Sequence, residues 1–245
     1  MIRTMKRHFP NIIGLLVLML AMSCSKEDGP LVTPNLALKP AQTSVSLTLT
    51  RDSVLADGIS YAEFTLKVAD STYIRTNNAV TFTIGPVGKF PDGTTTLYTT
   101  VNANGKVKVY VASVAIGTAT LQATVNAAGG TSASMHFIPS YPTQILVNPA
   151  VSTLADSLSS SVNVTAQLVK ANAVVSAGIP VSYYDSTAGG HSIGVFLNIT
   201  TSNATGQSTS TYSIQDTTYH GLVYLKCSVQ KGAGKLIGFS KVLVR

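Results

Sequence analysis

Beyond residues 1–24, the side chains best suited to ligate a metal or attack a carbonyl are three histidines, His136, His191 and His220, and one cysteine, Cys227. A protein-bound zinc takes three or four N, S or O ligands, and a structural site usually shows two of them a few residues apart. None of these histidines has a second His or Cys at such a spacing. His191, in AGGHS, and His220, in TTYHG, lie in Gly-flanked turns and meet only if their loops converge, so their role stays open. His136 reads as a structural histidine at the end of a strand. Cys227 alternates with Val223, Leu225 and Val229 on one side of a strand, which makes it a small buried hydrophobe rather than a nucleophile. The carboxylates are few and scattered. Asp57, Asp92 and Asp156 sit in turn sequences where the side chain folds back on its own backbone. No acid pair, calcium loop, phosphate-cradling glycine loop or Ser-His-Asp order emerges. The expectation is a chain that is not an enzyme, with no catalytic residue, no metal and no cofactor.

The elements that would position such groups are short strands. In Phe64-Thr65-Leu66-Lys67-Val68 apolar and polar residues alternate, as they do in Val164-Thr165-Ala166-Gln167-Leu168. Period two places each set on one face of a strand. Asn104-Gly105 offers the positive φ of a tight hairpin. The strand after it points Val107, Val109 and Val111 inward, with Lys106, Lys108 and Tyr110 outside. Alternation also sends Tyr61, Tyr110, Tyr184 and Tyr224 outward. No window beyond the N-terminus sustains a helical period, so the fold class is all-β.

Composition narrows the partners. The chain of 245 residues carries 17 Lys and Arg against 10 Asp and Glu, for a net charge of +7, and its charged fraction is 11%. A typical soluble domain has about a quarter. No Lys/Arg cluster is interleaved with aromatic residues, so nucleic acid is excluded as a partner.

One internal repeat organises the remainder. Leu55-Ala56-Asp57 recurs as Leu154-Ala155-Asp156, Val80-Thr81-Phe82 as Val181-Ser182-Tyr183, and Asn102-Ala103-Asn104-Gly105 as Asn203-Ala204-Thr205-Gly206. Gly117 and its strand recur at Gly221. The offset grows slowly along the chain, as small loop insertions between two copies of one fold produce. The copies span 41–139 and 142–245, and each is a run of period-2 strands cut by Gly, Pro, Asn and Asp turns, the pattern of a β-sandwich. Pro139-Ser140-Tyr141-Pro142 between them reads as a short, semi-rigid link with little to bury, joining two domains that fold separately. Ala56-Asp57-Gly58-Ile59-Ser60, Val80-Thr81-Phe82, Asn102 to Val107 and Ser113 through Ala123 together resemble the invasin/intimin-type bacterial Ig-like domain. The resemblance implies two tandem Ig-like sandwiches. It is weaker in the second copy, where Ser157 replaces Gly58 and the strand Gln207-Ser208-Thr209-Ser210-Thr211 is polar where the first copy has valines.

The N-terminus sets location. Residues 1–23 have a basic opening (Arg3, Lys6, Arg7), an apolar core from Ile12 to Met22, and Ser23 before Cys24. That core is too short to cross a hydrocarbon layer of roughly 30 Å and reads as a removed signal peptide. The arrangement resembles a bacterial lipoprotein signal, which implies lipid on Cys24. Lys26, Glu27 and Asp28 behind it resemble the surface-export tag of Bacteroidota lipoproteins. These resemblances imply an outer-membrane protein, anchored by lipid and facing the cell exterior. Residues 24–40, with Pro30, Pro34 and Pro40, form the anchor and tether.

Five of the eight aspartates after Cys24 precede Ser or Thr: Ser53, Ser71, Ser157, Ser186 and Thr217. With their third residues these pairs resemble the general O-glycosylation motif of Bacteroidota, while local turn chemistry explains the same pairs equally well. The functional expectation is a non-enzymatic surface lipoprotein acting as an Ig-like stalk or cell-adhesion module, with a surface protein or glycan as ligand. The alternative is a glycan-binding accessory lipoprotein of a polysaccharide-uptake system. A contiguous outward tyrosine patch would favour the alternative, and scattered tyrosines the stalk.

Overall fold

Alternating side chains become paired strands wherever one face can be buried, and this chain does so twice with one strand order. The structure, a computed structural model, describes residues 44–69, 78–125 and 129–245. All regular elements among them are strands. The first copy holds β1 (Val45–Leu49), β2 (Ser53–Leu55), β3 (Ala62–Val68), β4 (Ala79–Gly85), β5 (Thr96–Thr100), β6 (Lys106–Val111), β7 (Gly117–Val125) and β8 (Gly129–Ile138). The second holds β9 (Gln144–Pro149), β10 (Thr153–Leu154), β11 (Ser161–Val169), β12 (Pro180–Thr187), β13 (Gly194–Phe196), β14 (Thr200–Thr201), β15 (Gln207–Ile214), β16 (Gly221–Lys231) and β17 (Gly234–Val244).

One sheet of the first copy runs β2-β8-β7-β4-β5, and its counterpart runs β10-β17-β16-β12-β14. The facing sheets are β1-β3-β6 and β13-β15-β11-β9, so β13 is the one addition. In both copies the short second strand pairs in parallel with the last. Phe82 pairs with Ala123 on β7, and Tyr183 with Cys227 on β16, so the sequence repeat is a repeat of register.

The expected hairpin at Asn104-Gly105 is a different device. The turn closes locally, with the Asn102 amide donating to the Lys106 carbonyl at 2.9 Å and the Gly105 amide to the Asn102 carbonyl at 2.8 Å. Yet β5 pairs with β4 and β6 with β3, so the turn carries the chain from one sheet to the other. Asn102 Oδ1 accepts from the amides of Asn104 and Lys106, and Asn203 Oδ1 from those of Thr205 and Gln207. Gly105 and Gly206 supply φ of 67° and 74° at the same step, a region glycine enters without a Cβ penalty.

Each sandwich has its own core. Phe64, Leu66, Phe82, Leu121, Met135 and Phe137 are fully enclosed in the first, and Tyr212, Ile214, Leu225, Cys227 and Val164 in the second. Polar β15 is reconciled by exchange. Where the first core sets Phe82 beside valines, the second sets Tyr183, whose hydroxyl donates to Ser208 Oγ at 3.0 Å. Ser210 Oγ donates to the Asn198 carbonyl at 3.2 Å. A buried hydroxyl costs little once it is hydrogen-bonded.

The link between the copies differs from the expected joint with little to bury. The Ser176 hydroxyl donates to the Ala56 carbonyl and accepts from the Ser140 amide, both at 2.7 Å. Lys170 Nζ donates to Ser140 Oγ at 2.7 Å, the Ala177 amide donates to the Val114 carbonyl at 2.7 Å, and Ile116 packs on both cores. The described residues therefore belong to one compact unit.

Asp57 anchors the turn that meets this seam, accepting from the amides of Ile59 and Ser60 and from the Ser60 hydroxyl. Burial works against its ionisation. The Ser60 and Ile59 bonds and the Lys170 ammonium outweigh that and hold its pKa below the ordinary 3.8. A depressed folded pKa adds stability above the unfolded value, and this is lost as pH falls through the folded one. Melting midpoints should therefore drop more steeply below that ordinary value in the wild type than in Asp57→Asn. Parallel curves for the two proteins would show that Asp57 does not bear on the seam.

Candidate functional site

Strand alternation gives β16 and β17 two unlike faces. Val223, Leu225, Cys227 and Val229 turn into the core, where burial pushes the Cys227 thiol up to about 12 and leaves it unsuited to nucleophilic chemistry. Leu222, Tyr224 and Lys226 point the other way, joined on β17 by Ile237, Phe239 and Lys241 and on β12 by Tyr184.

Register brings these together. Tyr184 lies opposite Lys226, and Lys226 opposite Phe239, while Tyr224 lies opposite Lys241. The Tyr224 and Phe239 rings are 5.9 Å apart and tilted by 59°. Lys226 Nζ and Lys235 Nζ stand 5.9 and 5.0 Å from the centre of the same Tyr184 ring, and Lys241 Nζ stands 5.4 Å from that of Tyr224. Such contacts are cation–π attractions. Phe239 keeps 58% of its surface exposed.

The face has cations and no acid of its own. β16 and β17 contain no Asp or Glu, and the one carboxylate of β12, Asp185, points inward. Among the described residues no carboxylate pairs with Lys226, Lys235 or Lys241. Ser228, on the same side of β16 between Ser182 and Ile237, is 2% exposed, and its hydroxyl has no hydrogen-bond partner. Beside the face, β9 and β17 flank a groove of about 500 Å³ lined by Leu146, Ile237 and Phe239 among others.

The four outward tyrosines thus divide between the two sandwiches. Tyr61 and Tyr110 meet edge to face at 6.5 Å on the first sandwich. There Lys108 is paired, its Nζ bonding Glu63 Oε1 at 2.7 Å. Tyr184 and Tyr224 belong to the larger face, whose Phe239 and lysines alternation alone did not single out. The missed signal was the run of Lys, Ile, Phe and Lys at every second residue from Lys235 to Lys241.

The remaining sequence candidates divide. Cys24, Lys26, Glu27, Asp28 and Ser71 lie outside the described residues. Ser53 and Thr217 are exposed and Ser157 half-buried. Ser186 is a correction: it is 8% exposed inside paired β12 and fits poorly as a glycan acceptor. Its neighbour Asp185 is equally buried, taken up by bonds from Tyr212 Oη, the amides of Ile193 and Gly194, and Ser192 Oγ. Asp216 folds onto Thr218, accepting from its amide and hydroxyl.

Asp156 is a second correction, since its carboxylate lies 3.5 Å from His220 Nδ1, an ion pair whenever that ring is protonated, where a bond to its own backbone was expected. His136 shares a 3.0 Å hydrogen bond with Thr118. His191 sits in the turn closed by the Thr187 amide on the His191 carbonyl. Among the described residues no three His, Cys, Asp or Glu gather as a metal site.

No protein-family model and no curated protein sequence matches the chain. Solved structures do. Invasin, described as a bacterial integrin-binding protein, superimposes with a TM-score of 0.55 at 16% identity, over 82% of this chain and 39% of that one. The D0-D1 domain of intimin gives 0.34 at 18% identity, over 81% and 97%. FdeC, an Escherichia coli adhesin, gives 0.38 at 15% identity, over 83% and 65%. The likeness to invasin is one of fold: two tandem Ig-like sandwiches.

Proposed function

We propose that the chain is a non-enzymatic surface module, held to the outer membrane by lipid on Cys24 and turned outward by Lys26, Glu27 and Asp28. Its second Ig-like sandwich makes the contact. The aromatic and lysine face of β12, β16 and β17 carries this reading, because an exposed Phe239 grouped with half-buried Tyr184 and Tyr224 on one sheet is what a binding surface needs. The hydrogen-bonded seam suits the first sandwich to the role of a stiff support. Adhesion is the primary reading. The Tyr224–Phe239 ring pair, with Tyr184 on the same face, lends some weight to the glycan-binding alternative. Exposed Ser53 and Thr217 remain its candidate glycan acceptors.

The test uses bacteria displaying the full chain on plates coated with collagen, mucin and a set of plant and microbial polysaccharides. Wild-type cells should attach to at least one coating better than cells lacking the gene. Cys24→Ala should abolish that attachment, and Tyr224→Ala with Phe239→Ala should reduce it by at least about tenfold. Attachment equal to that of the deletion strain on every coating would overturn the contact reading.

A further inference from the structure

We propose that the outward face of the second sandwich binds an anionic polysaccharide, with Lys226 and Lys235 gripping one acid group beside Tyr184. The proposal rests on the reading of this face as a contact surface and adds the chemistry of the ligand. Two ammonium groups stand 5.9 and 5.0 Å from the centre of one ring, and no carboxylate among the described residues pairs with either. An external anion beside Tyr184 would be attracted by both. The Ser228 hydroxyl, buried on the same face next but one to Lys226 along β16, is a polar group still without a partner, which an oxyanion reaching it would supply.

A saccharide fits the rest of the face better than an acidic peptide does. The face of a sheet presents side chains and no backbone N–H or C=O, so a peptide strand has no ladder to join. It does present Phe239, directly across from Lys226, together with exposed Ile237 and Leu222. An apolar ring face of a pyranose can lie on Phe239 while its acid reaches the Lys226–Lys235 pair. Lys241, two residues beyond Phe239, stands about 7 Å further along the strand and meets a later acid of the same polymer. The first sandwich lacks this arrangement, since its Lys108 is already bonded to Glu63.

The experiment measures binding of full-chain protein in nonionic detergent to immobilised polygalacturonate, dextran sulfate, neutral dextran and poly-L-glutamate. Wild type should hold at least one acidic polysaccharide, and raising salt from about 0.05 M to about 0.5 M should weaken it strongly. Lys226→Gln with Lys235→Gln should lose at least about tenfold, as should Phe239→Ala, whereas Lys106→Gln on the first sandwich should change little. No retention on either acidic polysaccharide, or equal retention of the lysine variant, overturns the proposal. Equal or tighter binding of poly-L-glutamate overturns it in favour of an acidic peptide. If Phe239→Ala abolishes binding to neutral dextran while the lysine variant does not, the contact face stands and the anionic ligand falls. If the Tyr224 and Phe239 variants keep cell attachment, the face itself is wrong.

Discussion

Asp185→Ala should lower the stability of the second sandwich by roughly 3–5 kcal/mol, more than any surface substitution considered above. The carboxylate is 8% exposed and accepts from Tyr212 Oη at 2.9 Å, from the Ile193 amide at 2.9 Å, from the Gly194 amide at 3.1 Å and from Ser192 Oγ. Alanine leaves the Tyr212 hydroxyl and the Ile193 and Gly194 amides without this acceptor in a buried space, and each stranded donor costs about 1–3 kcal/mol. Tyr212 is fully enclosed and tilts against Phe196 at 5.0 Å, which tilts against Tyr183 at 5.3 Å. Burial, with the Asp185 charge added, drives the Tyr212 phenol pKa far up, so it stays protonated and donating. Losing its acceptor therefore loosens an aromatic row as well as a bond. Thermal unfolding followed by circular dichroism in the tyrosine region is a clean probe, because the chain has no Trp. The midpoint should fall on the order of 10 °C, and Asp185→Asn, which keeps one acceptor oxygen, should lose less. A midpoint within about a degree of wild type would mean that the network contributes nothing net.

Gly238→Ala should cost about 2–3 kcal/mol or more through backbone collision. A Cβ at this position would stand 2.4 Å from the Ile145 carbonyl oxygen and 2.8 Å from its Cβ. No rotamer relieves a clash with a main-chain atom, so β9 must move away from β17. The two strands flank the groove beside the aromatic face. The substitution should therefore both lower the melting midpoint and speed amide exchange at Ile145 and Val147, leaving the first core protected. In the first copy Thr131 takes the paired place opposite Ala123 that Gly238 takes opposite Cys227. Thr131→Ala should thus be mild. Unchanged exchange along β9 in Gly238→Ala would show that the approach of the two strands is not tight in solution.

Much was legible in the chain because it depends on neighbours in sequence. Alternation fixed which residues of Phe64–Val68, Val164–Leu168 and Lys106–Val111 face inward, since successive side chains of a strand point to opposite sides. The repeated Asn-x-x-Gly turns were equally local, as the Asn side chain and the glycine φ act within five residues. The core place of Cys227 followed from its alternation with Val223, Leu225 and Val229 along one strand. Other features needed partners far along the chain. Whether Asn104-Gly105 closed a hairpin or changed sheets depended on what β5 and β6 pair with. Ser208 read only as part of a polar strand where the first copy has valines, until Tyr183, 25 residues away, supplied its hydrogen bond. Asp185 read as a glycosylation motif because Tyr212, 27 residues on, was out of view. The seam joins Ser176 to Ala56 across 120 residues. The convergence of Lys226 and Lys235 on one tyrosine likewise required three strands to pair in register. Local sterics choose strands, turns and faces, whereas the burial or exposure of a polar side chain is decided by what the folded chain brings opposite it.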